Sequence, residues 1–332
     1  MPGPLSKEHR KQLEKATLRA RVLAEQACQA ALENLAVHEA KYRAHMSAAQ
    51  RALRNQLRER GRALGDVRDA QSGAQGMRHV AEAAAYEQWH RLLFTRFLTE
   101  NSLLHTGEEN GDVSISLQEC DELAADLGAR DGFELACRFA SRSLPGVFRS
   151  DDPVLALRLA PNDVVELRSI LDKLPVAVFT ASDSLGWTYQ FWQAERKDQV
   201  NAAGNKIGAD ELPSVTQLFT EDYMVDFLLD NTLGAWHAGK VLAVNSKLAE
   251  NAQSEDELRQ AVALPGCPWK YLRFIKAKDG KWTPAAGTFD GWPKSAAALR
   301  ALDPCMGSGH FVVAMFERMV ALRLSEEHCT EL

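Results

Sequence analysis

The residues whose spacing carries the most chemistry are Asp303-Pro304-Cys305-Met306-Gly307-Ser308-Gly309-His310-Phe311. Ala301-Leu302 ends a short strand, Asp303-Pro304 breaks it, Gly307-Ser308-Gly309 makes a tight turn, and Phe311 to Phe316 opens an apolar helix. Strand, glycine turn and helix in that order form the first βα unit of a doubly wound sheet, whose ligands sit beyond the strand's C-terminal end. The glycines let a ligand approach the backbone without a Cβ in the way. Asp303, at the strand end, is placed to accept from the positively charged amino group of a bound amino acid. Competing glycine loops fail on detail. A dinucleotide fingerprint needs Gly or Ala where Val312 stands, and a phosphate loop needs a Lys that does not follow this turn.

A second segment, Val215 to Leu229, reads as a capped helix. Thr220 is expected as N-cap, and Glu221 and Asp222 fill the first turn, where negative charge suits the helix dipole. Met224, Val225, Leu228 and Leu229 give the expected buried face. A capping Thr also sits where backbone N–H groups can bind a carboxylate. Taken alone, the segment is adequately explained as an ordinary helix.

The elements that would position these segments are mostly helical. Residues 6–65 are rich in Ala, Leu, Arg, Gln and Glu, with no glycine before Gly61, and predict a helix or helical hairpin. Its apolar stripe (Leu18, Val22, Leu32, Leu35, Leu53, Leu57, Leu64) is broken and sustains no heptad. Asp66 to Gly76 predicts a loop, residues 77–142 more helix, and Val164 to Leu174 another. His90 and His105 read as packing residues. Trp187, Tyr189, Phe191 and Trp192 read as core, with a base-stacking platform as the alternative.

Asp303 to Phe311 resembles motif I of the N6-adenine DNA methyltransferases, the S-adenosylmethionine loop, and Thr216 to Leu229 resembles their motif X, which precedes it in type I and type IIG enzymes. The run from Gly186 through Glu195-Arg196-Lys197 to His237 is similar, more narrowly, to the adenine methyltransferases of phage-defence systems, the DISARM methyltransferase and the BREX PglX-like enzymes. The resemblance covers about residues 85–332. It implies that Asp303, Cys305, Gly307, Gly309 and Phe311 line the methionine part of S-adenosyl-L-methionine, and that Thr220 meets its carboxylate. Glu221 departs from the Pro common after the motif X Thr, and Cys305-Met306 replaces the familiar Ala-Cys.

The implied fold is a mainly α N-terminal region followed by the start, the first βα unit, of an α/β Rossmann-like S-adenosylmethionine-dependent methyltransferase domain. The expected division is a basic helical arm at 1–70, a helical domain at 71–210, and the beginning of the methyltransferase domain at 211–332. The implied reaction moves a methyl group from S-adenosylmethionine to adenine N6 in double-stranded DNA, in restriction or phage defence, without a metal.

In this family an [N/D/S]-P-P-[Y/F] motif grips the flipped-out adenine. None of the twelve prolines here is adjacent to another, so no catalytic residue is assigned. Glu326, Glu327 and Glu331 stand at about the distance of the family's ribose-binding acid, but with no strand before them they are set aside. The expectation is the N-terminal piece of a longer, split or partial enzyme, binding cofactor weakly or not at all and transferring no methyl group. The other reading is a helical DNA-contacting or assembly module, working with other defence-system subunits or with a separate C-terminal methyltransferase polypeptide.

With 45% hydrophobic and 25% charged residues, the 332-residue chain has an ordinary globular composition. It has no apolar run long enough to span a membrane, and its N-terminus is not a secretory signal. Six scattered cysteines argue against a zinc site or a disulfide framework, which suits the cytoplasm. The net charge of −6 is divided: residues 1–65 hold thirteen Lys and Arg against six Asp and Glu, leaving −13 for the remainder. Such a basic segment is ordinarily a solvated helix face; contact with nucleic acid is the alternative.

Overall fold

The Ala- and Arg-rich N-terminal run breaks where neither glycine nor proline marks it. In the computed structural model, which describes residues 3–107, 112–149, 151–204, 208, 215, 219–287, 289–306 and 309–327, helix α1 spans Lys7–Asn34 and α2 spans Ala48–Ala63. The first ends as Ala36 turns to φ 52°. The second starts at a capping box, in which Ser47 accepts from the Gln50 N–H and Gln50 accepts in return. Ser47-Ala48-Ala49-Gln50 was the readable signal for this break.

The chain divides into two compact units, Met1–Thr216 and Gln217–Leu332. In the first, α1 packs on α3 (Arg78–Glu100), α7 (Pro161–Asp172) and α9 (Ser184–Ala203). Its buried row is Leu13, Thr17, Ala20, Ala24, Ala27 and Ala31, spaced alternately by four and three. That is a heptad seam of small residues, which lets helix backbones approach closely. Leu18 and Val22, expected in the stripe, are exposed. Between α3 and α7 lie α4 (Leu117–Leu123), α5 (Gly132–Ser143) and α6 (Pro153–Ala156), and α8 (Val176–Phe179) precedes α9.

The expected packing roles of the aromatic residues hold. His90 stacks between Tyr86 and Phe94 along α3, at centroid distances of 5.6 and 5.5 Å, and burial lowers its pKa. Trp187, Phe191 and Trp192 are buried, with Trp187 stacked on Phe191, so the base-stacking alternative falls. His105 pairs with Asp112 at 3.3 Å.

Buried Asp66, placed by sequence in a loop, caps α3 by accepting from the N–H groups of His79 and Val80. Replacing Asp66 with Ala orphans the Val80 N–H in a buried setting and the His79 N–H in a part-buried one, and is expected to destabilise the first unit by about 2 kcal/mol in urea unfolding.

In the second unit, α10 (Asp222–Leu229) continues through a π-helical turn, Asp230–Gly234, into α11 (Ala235–Val244). Then follow α12 (Ser246–Asn251), α13 (Glu255–Val262), the antiparallel pair β1 (Phe274–Lys276) and β2 (Trp282–Pro284), a 3-10 turn at Ala296–Ala298, and α14 (His310–Glu327). The core joins Val225, Leu229, Trp236, Leu258, Trp269, Leu272 and Leu322.

The expected strand before the glycine turn is not formed. Among the described residues the only sheet of this unit is β1–β2, and Leu302 is 84% exposed. A strand is held by its ladder, and among the described residues none forms one with the chain before Asp303. The helix expected to follow is present as α14.

Candidate functional site

Helices α10 and α14 lie side by side, with residues 88 and 92 positions apart in ion pairs. Arg318 donates to Asp226 at 2.6 Å and to Asp230 at 3.3 Å. At the helix starts, the His310 imidazole stands 3.1 Å from the Asp222 carboxylate and 5.6 Å, ring to ring, from Phe219. Pairing early with early and late with late makes the helices parallel, so their N-terminal ends fall together. This brings Phe219 and Asp222 against His310, which follows the glycine turn.

Thr220, Gly309 and Phe311 flank this junction along the chain. Thr220 is half-buried and precedes the helix; Glu221, not Thr220, occupies the N-cap. Asp303 accepts from the Cys305 N–H at 2.9 Å, folding the turn back on the carboxylate. Cys305 is exposed, whereas Cys28, Cys120, Cys137 and Cys267 are buried. Gly309 has φ 88°, a conformation that strains any residue with a Cβ. Phe311 is half-buried against the core. Gly307 lies outside the described residues.

The expected buried face of α10 is half right. Val225 and Leu229 are buried, but Met224 and Leu228 are about half exposed, as are Tyr223 and Phe227. On α14, Val312, Val313 and Phe316 are exposed too. The helices spend one narrow face on each other and leave another apolar row uncovered.

No protein-family model matches the chain, and no solved structure matches it. Two curated proteins are similar to it. It is 24% identical over 284 residues to the adenine-specific methyltransferase PglX of Lacticaseibacillus casei (strain Zhang), across 74% of this chain and 22% of that protein. It is 26% identical over 191 residues to the adenine-specific methyltransferase BrxX of Escherichia coli O9:H4 (strain HS), across 56% of this chain and 14% of that protein. The chain is similar to these adenine-specific methyltransferases over much of its length. It spans less than a quarter of either protein's length.

Beneath the junction of this PglX-like chain lies a network that sequence reasoning missed. Asp230 is buried, accepts from the Tyr271 N–H at 2.8 Å and faces Arg318. Burial pushes its carboxyl above the usual carboxylate range, while the Tyr271 N–H and Arg318 pull it back. Asn231 bridges to the Tyr271 carbonyl and the Arg273 N–H. At Gly234 an added Cβ would stand 2.7 Å from the Trp269 ring. The π-helical turn thus seats the 269–273 loop against α10. Its only trace in sequence is Asp230-Asn231-Thr232-Leu233-Gly234, polar residues and a glycine inside an apolar helical run.

Glu326, at about the family's ribose-acid distance, is occupied otherwise: it holds the Ala296 N–H at 2.6 Å and pairs with Lys240. Glu327 pairs with Arg323, and Glu331 lies outside the described residues. Among the described residues no three side chains gather as a metal site, and no helix is long and apolar enough to cross a membrane.

Proposed function

We propose that the paired starts of α10 and α14 form the amino-acid end of an S-adenosylmethionine site, and that the chain is the cofactor-binding part of an adenine-N6 DNA methyltransferase of restriction or phage defence. The observation that carries this reading is the meeting of Phe219 and Asp222 with His310 across 88 or more residues of sequence.

The residues at this junction fit such a ligand. Two parallel helix starts present unsatisfied N–H groups and positive dipole ends to a carboxylate, with the Thr220 hydroxyl just ahead of one and Gly309 opening the other. Asp303, fixed through one oxygen by Cys305, keeps its second oxygen to accept from an ammonium. Gly309 keeps a Cβ out of the turn, and Phe311 supplies an apolar wall.

When bound, the cofactor supplies an electrophilic methyl group on a sulfonium. What these residues do is bind and orient its amino-acid end. Since no two prolines adjoin, the residues that grip the target adenine in this family are not among these 332, and the chain alone is expected to transfer no methyl group. The substrate of the whole protein is double-stranded DNA.

Exposed Cys305 provides the test. S-adenosylmethionine at millimolar concentration is expected to slow its alkylation several-fold, read by peptide mass spectrometry. Asp303→Ala and Gly309→Val are expected to remove that protection. Cys305 reacting at one rate with and without cofactor, or equal protection in Gly309→Val, would overturn the site.

A further inference from the structure

The arginines of α2 are arranged in a way that methyl transfer does not call for. Residues 36–79 hold nine Lys and Arg against four Asp and Glu, within a chain of net charge −6. Arg51, Arg54, Arg58 and Arg62 recur at three- and four-residue steps along one side of α2, a row about 16 Å long. Arg54 and Arg58 are buried and donate to backbone carbonyls, those of Ala36 and Glu39 and those of Val37, Glu39 and Gly73. A carbonyl satisfies an N–H without neutralising its charge, so both cations keep their fields.

The nearby acids offset little of this. Asp66 is turned to the start of α3, Glu39 pairs with Arg43, and Asp69 closes its own turn with Ser72. Arg58 shows the result: burial first, then repulsion from Arg54, Arg68 and Arg62, lowers its pKa. On the outside, Arg62 donates to the Gln75 amide at 3.1 Å, while exposed Arg68 and Lys41 have no acidic partner among the described residues.

We propose that this face of α2, with the 66–76 turn, binds the phosphate backbone of duplex DNA. Arg62 and Arg68 supply exposed guanidinium groups for phosphate contact, and buried Arg54 and Arg58, whose N–H groups are spent on carbonyls, add only their fields behind them. Single-strand binding calls instead for successive aromatic platforms. Tyr42 is the one exposed Phe, Tyr or Trp here, and Arg51 already lies over it at 4.9 Å. The surface lies wholly in the first unit and does not depend on the cofactor site.

Fluorescence anisotropy of the full chain with a labelled duplex of about 20 base pairs, titrated with salt, tests this. Arg62→Glu/Arg68→Glu is expected to weaken binding at least about tenfold at about 0.1 M salt and to reduce the slope of log K against log salt by about two. Arg62→Lys/Arg68→Lys should keep most of the affinity. Lys7→Glu/Lys11→Glu, an equal charge change on α1, should bind nearly as wild type, with circular dichroism confirming that each variant folds. No duplex binding by the wild type, an equal loss in the α1 control, or preference for single-stranded DNA or duplex RNA would overturn the proposal.

Discussion

Replacing Arg318 with Ala is expected to destabilise the second unit by about 3 kcal/mol, because it leaves the buried Asp230 carboxylate facing Asp226 with no cation between them. The loss should depend on pH. The folded-state pKa of Asp230 already lies above its unfolded value. Its contribution therefore favours folding below the ordinary carboxylate pKa and is lost as pH rises through the raised value. Arg318 is one of the groups pulling that value down, so without it the variant should be weakest near pH 7 and recover toward about pH 4.5. Asp230→Asn in the same chain removes the charge while keeping an acceptor for the Tyr271 N–H, and should restore much of the stability. Hydrogen exchange of peptides covering 222–327 reads this locally. A loss that does not change with pH, or one that Asp230→Asn does not relieve, would show that the pair is not what holds α10 to α14.

The second large effect is at Trp269, which occupies φ 51°, is 1% exposed, lies beneath Gly234 and donates to the Val262 carbonyl at 3.1 Å. Trp269→Ala should cost roughly 3–5 kcal/mol, the usual penalty for emptying a buried aromatic site. Gly234→Ala pushes a methyl group into the same ring and should cost roughly 1–3 kcal/mol. Because the 269–273 loop is tied to Asp230 and Asn231, both changes should also weaken cofactor protection of Cys305. Wild-type unfolding in either variant would mean that the π-helical turn can close without the indole beneath it.

How far these features can be read from sequence follows their physics. The two helices that open the candidate site were legible because their starts are local: acidic residues in one first turn, glycines before the other. The packing of His90 and the Trp187–Trp192 cluster was legible because aromatic rings seek the core whatever their partners. The α1 seam was not, because alanine is weakly apolar and becomes an interface residue only when a second helix comes close. Arg54 and Arg58 were counted as surface charge, since nothing local tells that loop carbonyls will receive them. Asp230, Asn231 and Gly234 act through a loop some 40 residues away, and Asp230 also through Arg318, 88 residues away. The short strand ending at Ala301-Leu302 was over-read, because apolar residues before a glycine turn give an extended segment its chance but not its partner.

The uncovered apolar rows of α10 and α14 bear on how this chain behaves in water. Tyr223, Met224, Phe227 and Leu228 on one helix, and Val312, Val313 and Phe316 on the other, expose oily surface on the two helices that also frame the proposed cofactor site. Colloidal behaviour and ligand affinity are therefore linked. Cooling, which weakens apolar association, should favour the dispersed chain, and salting-out ions should favour clusters. A surface that settles on these rows without blocking the helix starts would hold α10 and α14 in place and so raise affinity for the cofactor without touching it.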